Sequence, residues 1–350
     1  MNHLNSNALL EWYDRVKRDL PWRSTNNPYV IWVSEIILQQ TRVDQGAPYF
    51  ERFLERFPNI ESLANSEEDE VLKLWEGLGY YSRARNMRSS AKQILECHNG
   101  VFPTSFDEIL ELKGVGPYTA AAISSIAFNI PEPSVDGNVL RVTSRLLADF
   151  NSIDEGKTKK SIQAFLKEHI PIERPGDFNQ AMMELGATIC LPKSVKCDFC
   201  PLKDCCKAYK DGCELTLPIR TKKIKKRNRY FIFLITESYG KTILTRRLAG
   251  DIWEGLYQYP MVEVEDETEF SDPVSRLTKA GALDRNHVVK AVSGQVKHIL
   301  THQNLFAVFV HAEVQKLRVN NDFVICRIDE LSNFAMPRLI TQYMENSACD

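Results

Sequence analysis

The sequence lacks long apolar runs, low-complexity stretches and a strong net charge. No uninterrupted apolar segment in its 350 residues approaches the roughly 18 residues that a membrane span requires. Only Ala8–Leu10 form an apolar stretch before Glu11. We therefore expect no signal peptide and a cytoplasmic location, nucleoid-associated if the source is bacterial. With 43% hydrophobic and 26% charged residues, the composition excludes disorder and fibrous repeats, and the length predicts about two domains.

The net charge of −2 argues at first against a nucleic-acid partner, but the charge is unevenly distributed. Residues 1–216 carry 25 basic and 30 acidic side chains, whereas residues 217–230 carry seven basic side chains and no acidic ones. The remaining 120 residues have a net charge of −4. We interpret residues 217–229 as a basic linker between domains 1–216 and 230–350. It is a solvated tether that could also contact phosphates.

Periodicity predicts two domains of different class. Apolar residues recur at helical spacing through residues 1–216, and no long alternating strand appears there. After the linker, the segments 230–236 and 242–245 flank a Tyr-Gly-Lys turn and predict a β-hairpin. Two more strands are predicted over 305–310 and 323–328, and two helices over 275–279 and 337–343. The prediction is an all-α body followed by an α+β body.

Cysteines are scarce except in one cluster. Five of the nine lie between residues 190 and 206, with the spacing Cys190-x6-Cys197-x2-Cys200-x5-Cys206. Four thiolates this close suit a tetrahedral ion or an iron–sulfur cluster, rather than the spread-out disulfides of a secreted scaffold. Zinc sites usually have two close pairs, and this segment has only one. Cys205 beside Cys206 leaves the fourth ligand open, and five lysines in residues 190–210 suit phosphate contact.

A glycine turn is the second pattern with chemical meaning. In the segment Leu112-Lys-Gly-Val-Gly-Pro-Tyr118, Gly114 and Gly116 allow backbone N–H groups to converge. A helix beginning near Pro117 would add its positive end, and the two together would bind a DNA phosphate. Taken alone, such a Gly-x-Gly could equally be an ordinary turn.

Two carboxylates have surroundings that suggest a role. Asp136 follows Val135 in a tight turn before a helical stretch, where it could be an N-cap or a catalyst. Glu35 follows Ser34, which could begin a helix and place Glu35 in the first turn. Its other neighbours are apolar, however, and a buried carboxyl could act as a general acid near neutral pH.

The motifs together resemble a known family. The cysteine spacing resembles the 4Fe–4S loop of the endonuclease III superfamily, which favours Cys206 over Cys205 as a ligand. The segments 20–23, 32–43, 75–86 and 114–119 look like those of the adenine DNA glycosylases of the MutY type. The resemblance covers nearly all of residues 10–216. It implies a multidomain protein: an all-α helix-hairpin-helix glycosylase core with a 4Fe–4S cluster loop, followed by an α+β Nudix-like domain.

The resemblance also implies roles for individual residues. Glu35 would protonate N7 of a flipped adenine, Asp136 would stabilise the oxocarbenium ion, and Tyr118 and Asn138 would help to place the sugar and Asp136. Bifunctional relatives have a lysine where this chain has Tyr118, so base removal without efficient strand cleavage is expected. The residues that would line the base pocket are Trp22, Arg23, Leu38 and Gln180. Those that would contact DNA are Gln40, Thr41, Tyr80, Gly114 and Gly116. The cluster ligands would be Cys190, Cys197, Cys200 and Cys206.

In the same family, the Nudix-like domain reads 8-oxoguanine opposite the adenine. The family's Phe-Ser-His loop resembles Leu300-Thr301-His302 here. Thr301 keeps the hydroxyl, and His302 is the second predicted reading residue, whereas Leu300 loses the aromatic ring. The Arg-Glu-x-x-Glu-Glu motif of Nudix hydrolases is absent, and we interpret the acidic stretch 263–269 as a solvated loop.

The expected partner is double-stranded DNA with adenine opposite 8-oxoguanine or G. We expect a monomer with one 4Fe–4S cluster and no membrane association. Two alternatives stay open from the sequence. One is a mismatch thymine glycosylase of the same superfamily, and the other is a non-catalytic iron–sulfur protein that binds damaged DNA.

Overall fold

The chain divides into two compact units. The computed structural model describes residues 4–222, 225–318 and 320–347. One unit comprises Met1–Asn65 and Asn86–Lys222, and the other comprises Ser66–Arg85 and Lys223–Asp350. Residues 66–85 thus group with the C-terminal unit, while the predicted domain borders at 216 and 230 stay a prediction. Among the described residues, no helix is long and apolar enough to cross a membrane.

The first unit is helical, as predicted. Within its described residues the only β pairing is one isolated bridge between Cys190 and Val195. Helix α6 (Ser82–Cys97) continues from one unit into the other, and α5 (Glu68–Leu74) belongs to the second. The other helices of the first unit are α1 (Ser6–Val16), α2 (Pro28–Leu38), α3 (Val43–Arg56), α4 (Ile60–Ala64), α7 (Phe106–Leu110), α8 (Pro117–Phe128), α9 (Gly137–Leu147), α10 (Gly156–His169), α11 (Pro175–Thr188) and α12 (Lys207–Lys210).

Helix α11 lies at the centre of the first unit. It packs against α1, α8 and α9, while α2 packs against α8. The apolar core between α1, α9, α10 and α11 includes the fully buried Leu9, Ile162 and Phe178, and partly buried cysteines of the 190–206 segment pack against it. This packing brings one end of α2, α8, α9 and α11 close together.

Helix α2 begins earlier than the sequence suggested. Asn27 caps it, with its Oδ1 accepting a hydrogen bond from the Tyr29 amide at 2.9 Å, and Pro28 occupies the first turn. The prediction that Ser34 begins this helix is therefore wrong, because the Asn-Pro pair is the stronger start signal. Ser34 instead donates to the Ile31 carbonyl oxygen at 2.8 Å, and Glu35 lies inside the helix.

Within its described residues, the second unit contains one mixed sheet of eight strands. Strands β1 and β7 run parallel through its centre, and the other pairs are antiparallel. The predicted hairpin is confirmed, since Ser238 pairs with Lys241 across a two-residue turn. The strands are β1 (Arg227–Ser238), β2 (Lys241–Arg246), β3 (Tyr257–Gln258), β4 (Met261–Val264), β5 (Val288–Val292), β6 (Val296–Ile299), β7 (Gln303–Glu313) and β8 (Phe323–Arg327).

Helices cover both faces of this sheet. Phe231 and Phe233 point to a core that includes Leu339 and Ile340 of α15 (Arg338–Ser347). The alternate residue Ile232 points to a second core on the other face, formed with two short helices. Those helices are α13 (Glu267–Phe270) and α14 (Pro273–Lys279). A strand buried on both faces reads as a continuous apolar run, as β1 does.

The basic linker is more ordered than a tether. Leu217 is buried, and the amides of Thr221 and Lys222 both donate to Asp154 Oδ2, at 2.9 and 3.0 Å. Residues 227–229 already belong to β1. The tether interpretation is therefore wrong for 217–222 and 227–229, because backbone hydrogen bonds hold both ends. Residues 223 and 224 lie outside the described residues.

The acidic stretch 263–269 is not a solvated loop either. Glu263 lies in β4, and Asp266 caps α13 by accepting from the Glu269 amide at 2.9 Å. Glu263 and Asp251 both bind the Arg229 guanidinium, at 2.6 and 2.7 Å. Only 7% of the Arg229 side chain is exposed, so this basic residue stabilises the sheet and contributes little to the charge available for DNA.

We predict that Arg229→Met destabilises the second unit. The substitution removes the cation that two carboxylates share, and we expect it to lower the free energy of unfolding by about 2–3 kcal/mol. This is less than the roughly 3–5 kcal/mol expected for a fully buried ion pair, because both carboxylates are partly exposed. Hydrogen bonding to Arg229, opposed by burial, lowers the pKa of Asp251 to about 2. A lowered pKa stabilises the fold above the ordinary value near 4 and loses this effect as the pH falls towards 2. The difference in the free energy of unfolding between wild type and variant should therefore become smaller as the pH falls from near 4 towards 2.

Urea unfolding followed by circular dichroism measures this difference in the free energy of unfolding. The control is Arg285→Met, because Arg285 is exposed. An Arg229→Met midpoint equal to that of the control would show that the ion network does not stabilise the sheet.

Candidate active site

One cavity in the helical unit brings the two predicted carboxylates together. It has a volume of about 510 Å³ and lies where α2, α8, α9 and α11 meet. Ten of the residues singled out from the sequence line it: Trp22, Arg23, Glu35, Leu38, Gln40, Thr41, Tyr118, Asp136, Asn138 and Gln180. Residues from four helices and separated by up to 158 positions in the chain therefore share one site.

Glu35 is held in a protonatable state by its surroundings. Apolar residues of α2 flank it, and Tyr118 on α8 donates its hydroxyl to Glu35 Oε2 at 2.7 Å. Burial raises the pKa of Glu35 to about 7, although the hydrogen bond from Tyr118 acts to lower it. Near neutral pH this carboxyl can therefore hold a proton and release it, as a general acid must.

Asp136 is the N-cap of α9 and is held by two hydrogen bonds. Its Oδ1 accepts from the Val139 amide at 2.7 Å, and its Oδ2 accepts from Asn138 Nδ2 at 2.8 Å. Arg141 Nη2 in turn donates to Asn138 Oδ1 at 2.9 Å, which fixes the orientation of that amide. Burial raises the pKa of Asp136, and these hydrogen bonds oppose the rise because they stabilise the ionised form. Both interpretations of Asp136, a cap and a side chain in the site, are compatible with this geometry.

A third carboxylate in the cavity was missed from the sequence. Glu184 on α11 is 1% exposed and binds Arg18 Nε at 2.6 Å and Arg23 Nη2 at 2.7 Å. Burial acts to raise the pKa of Glu184, and the hydrogen bonds from the two arginines outweigh it, so the net pKa is lowered. Its position four residues after Gln180, on the same helix face, was the available signal.

The other predicted pocket residues have defined partners. Trp22 is buried and meets Phe50 edge to face at 5.2 Å between ring centroids. Gln180 accepts from the Tyr13 hydroxyl at 3.1 Å. Gln40 follows the end of α2 with a φ of +58°, a conformation that L residues rarely adopt, and its side chain is exposed.

The glycine turn connects α7 to α8 as a helix-hairpin-helix. Gly114 has a φ of +80°, and a Cβ there would come within 2.6 Å of Asn86 Cβ, so only glycine is accommodated. Gly116 is the N-cap of α8, and no atom lies within 4 Å of the position that a Cβ would occupy there. The N-terminus of α8 is therefore accessible on that side. Both glycines lie outside the 510 Å³ cavity.

The remaining predicted contacts lie together in the second unit. Tyr80, Thr301 and His302 line a cavity of about 430 Å³ there, and Leu300 and Trp253 line it as well. The Tyr80 hydroxyl is 2.5 Å from Thr301 Oγ1. Tyr80 has a φ of +48° and is 45% exposed, so it is not a core aromatic.

The four predicted cysteine ligands line one small cavity. Cys190, Cys197, Cys200 and Cys206 contribute to its wall, whereas Cys205 does not and directs its thiol to the Leu202 carbonyl oxygen at 3.3 Å. Arg145 Nη1 lies 3.1 Å from Cys190 Sγ and can donate to a thiolate. Among the described residues, no group of three or more His, Cys, Asp or Glu side chains could hold a metal ion as placed. Four thiols around one cavity are the donor type that an iron–sulfur cluster or a single tetrahedral ion requires.

Two regions of the chain match known protein families. Residues 33–171 match the HhH-GPD superfamily of base excision DNA repair proteins, and residues 231–346 match the NUDIX domain. The mixed sheet with helices on both faces refines the α+β prediction for the second of these regions.

The matching relatives are adenine DNA glycosylases. That of Buchnera aphidicola subsp. Baizongia pistaciae is 34% identical over 96% of this chain and 94% of its own length. That of Mus musculus is 42% identical over 57% of this chain and 41% of its own length. Among solved structures, a thermostable thymine-DNA glycosylase aligns with a TM-score of 0.54 and 28% identity, covering 59% of this chain and 95% of that one. Because the similarity to the bacterial relative extends over nearly all of both sequences, the chain belongs to the adenine DNA glycosylase family.

Proposed function

We propose that this enzyme excises adenine from double-stranded DNA in which the adenine is opposite 8-oxoguanine or G. The observation that carries the proposal is the pair Glu35 and Asp136 in one cavity. Burial raises the pKa of both carboxyls, that of Glu35 to about 7, and hydrogen bonds to the ionised form limit the rise for Asp136. Two carboxyls with separated pKa values supply the acid and the anion that glycosidic bond cleavage requires.

Glu35 supplies the proton. The Tyr118 hydroxyl occupies Glu35 Oε2, so Oε1 is the oxygen that can donate to N7 of a flipped adenine. Protonation at N7 makes the base a better leaving group, because the electrons of the N-glycosidic bond then neutralise a positive charge. An ionised Glu35 could not provide this proton, which is why its raised pKa matters.

Asp136 stabilises the sugar as the bond breaks. Positive charge develops on the anomeric carbon and ring oxygen, and a fixed carboxylate lowers the energy of that oxocarbenium ion. The Val139 amide and Asn138 hold Asp136 in place, so little reorganisation is needed at the moment of cleavage. A transient covalent adduct between Asp136 and the anomeric carbon is compatible with this role, and water then releases the sugar.

Strand cleavage is not part of the proposed reaction. A lysine amine at the position of Tyr118 could attack the sugar and form a Schiff base, whereas a phenol cannot. Tyr118 instead donates to Glu35, and its oxygen lies 3.2 Å from Met183 Sδ. We therefore infer a monofunctional glycosylase.

The cavity offers matched groups for adenine. Trp22 and Leu38 supply apolar surface, and Arg23 and Gln180 supply polar groups. Glu184, ionised between Arg18 and Arg23, holds the Arg23 guanidinium in place at the cavity wall.

The DNA duplex would meet the protein at several placed contacts. Gln40 and Tyr80 are proposed to fill the stack that the flipped base leaves, at an unstacking cost of a few kcal/mol, and Thr41 lies beside Gln40. Gly114 and Gly116 would present backbone N–H groups to a phosphate. Thr301 and His302 would read 8-oxoguanine opposite the adenine, and Thr301 keeps the required hydroxyl.

The cysteines are proposed to hold one 4Fe–4S cluster through Cys190, Cys197, Cys200 and Cys206. When bound, such a cluster supplies a rigid, redox-capable centre that cross-links the loop. The loop would then present its lysines to DNA in a fixed shape. We further propose that one monomer acts on one lesion.

A panel of duplexes tests the proposed activity. We predict that stoichiometric enzyme releases free adenine, in single turnover, from A opposite 8-oxoguanine or G, and more slowly from A opposite T. Liquid chromatography of the released base measures this directly. Release of thymine from T opposite G would instead support the thymine glycosylase alternative, to which a 28% identical structure gives some weight. Tight binding without any released base would support the damage-sensor alternative.

Glu35→Gln tests the acid. The amide keeps the size and can still bind Tyr118, but it has no proton to give at neutral pH. We predict that the single-turnover rate constant falls by about 10²–10⁴-fold, the usual contribution of a general acid. The matched control is Glu168→Gln, an exposed residue of α10 outside the cavity, which should retain the wild-type rate. An unchanged rate in Glu35→Gln would remove Glu35 from the mechanism.

A further inference from the structure

The cysteine cavity contains a carboxylate that the proposed reaction does not use. Glu214 lines this cavity together with the four predicted ligands and Arg145. The Glu214 Oε2 atom is buried and has no hydrogen-bond partner. A buried carboxylate oxygen without a hydrogen-bond partner is costly, so its presence beside four thiols needs a reason.

Two cations that line this cavity, Arg145 and Lys203, bind other groups. The Arg145 guanidinium donates to the Cys190 thiol and to the carbonyl oxygens of four residues: Cys190, Leu191, Pro192 and Leu217. The Lys203 ammonium binds Asp198 Oδ1 at 2.8 Å. In the described part of the chain, neither cation donates to Glu214. A carboxylate that neither Arg145 nor Lys203 binds therefore lies at the cavity wall.

Arg145 and Glu214 both line the cavity and bear opposite charges. Arg145 Nη1 donates to Cys190 Sγ at 3.1 Å, which stabilises negative charge on that sulfur. A carboxylate in the same wall acts in the opposite sense, because it disfavours added negative charge on whatever the four thiols bind.

We propose that Glu214 lowers the reduction potential of the iron–sulfur cluster, because it places a buried carboxylate oxygen in the wall of the cysteine cavity. The inference rests on the proposed cluster. One-electron reduction takes a 4Fe–4S cluster with four thiolates from a charge of about −2 to about −3, and a nearby carboxylate disfavours the more negative state. The electron comes from an external low-potential donor, such as an electrode through mediator dyes, and no bond forms or breaks.

The experiment compares the full-length, iron-loaded wild type with Glu214→Gln, Glu214→Asp and Asp198→Asn. Iron content and visible absorbance are measured first, and mediated potentiometry then gives the reduction midpoint. Glu214→Gln should shift the midpoint to higher potential, and Glu214→Asp should stay closer to the wild type because it keeps the charge. Asp198→Asn removes the same charge next to Cys197, but Asp198 is 82% exposed and screened, so only a small shift is expected.

Three results would overturn the inference. The first is a Glu214→Gln midpoint equal to or below that of the wild type. The second is a midpoint shift in Asp198→Asn as large as that in Glu214→Gln. Such a result would indicate that the total charge of the loop, and not the buried Glu214, sets the reduction potential. The third is loss of iron from Glu214→Gln but not from Glu214→Asp, which would make the role structural. A wild type with no bound iron would instead refute the cluster itself, so the two failures are distinguishable.

Discussion

Two acidic side chains in one cavity must be held in different protonation states, and the arrangement of the helical unit serves this constraint. Glu35 lies inside an apolar helix, where burial keeps its carboxyl protonatable near neutral pH. Asp136 lies at a helix N-terminus, where an amide N–H and the Asn138 side chain stabilise the anion. The difference comes from local structure. Glu35 lies within a helix, where the backbone N–H groups are already bound to carbonyl oxygens. Asp136 is an N-cap residue, so the free N–H groups of the first helical turn can donate to its carboxylate. The packing of α2, α8, α9 and α11 then brings the two environments to the same cavity.

Much of this site could be predicted from the sequence, because its residues lie in short motifs with a local physical meaning. The Gly-x-Gly turn, the Asp before a helix and the cysteine spacing each depend on neighbours in the chain. The same local logic failed at the start of α2, where Asn27 and Pro28 were a stronger signal than Ser34. It also gave no access to Glu184, whose role depends on arginines more than 160 positions away. Partners that distant are brought together only by tertiary packing.

The second unit was harder to predict for a related reason. Strand β1 pairs in parallel with β7, about 76 positions away, and both its faces are buried. Neither the parallel pairing nor the helices on both faces leave an alternating pattern. The sequence therefore identified the hairpin, the strands near 305–310 and 323–328 and the helices near 275–279 and 337–343, but it did not show how the strands pair. Tertiary contacts also change the interpretation of the charge distribution. Part of the positive charge of segment 217–230 is neutralised within the protein, because Arg229 binds two carboxylates of its own unit. We therefore expect contact with DNA to depend on a small number of placed groups rather than on a broad basic surface.

The pH dependence of adenine release tests the central claim most directly. The single-turnover rate constant should be measured from pH 4 to pH 9 on a duplex with A opposite 8-oxoguanine. A general acid works only while protonated, so the rate should fall as the pH rises through about 7, the pKa of Glu35. It should also fall at low pH, where Asp136 takes up a proton and can no longer stabilise a cation. A rate that is constant or rising from pH 6 to pH 9 would contradict the assignment of separate protonation states to the two carboxyls.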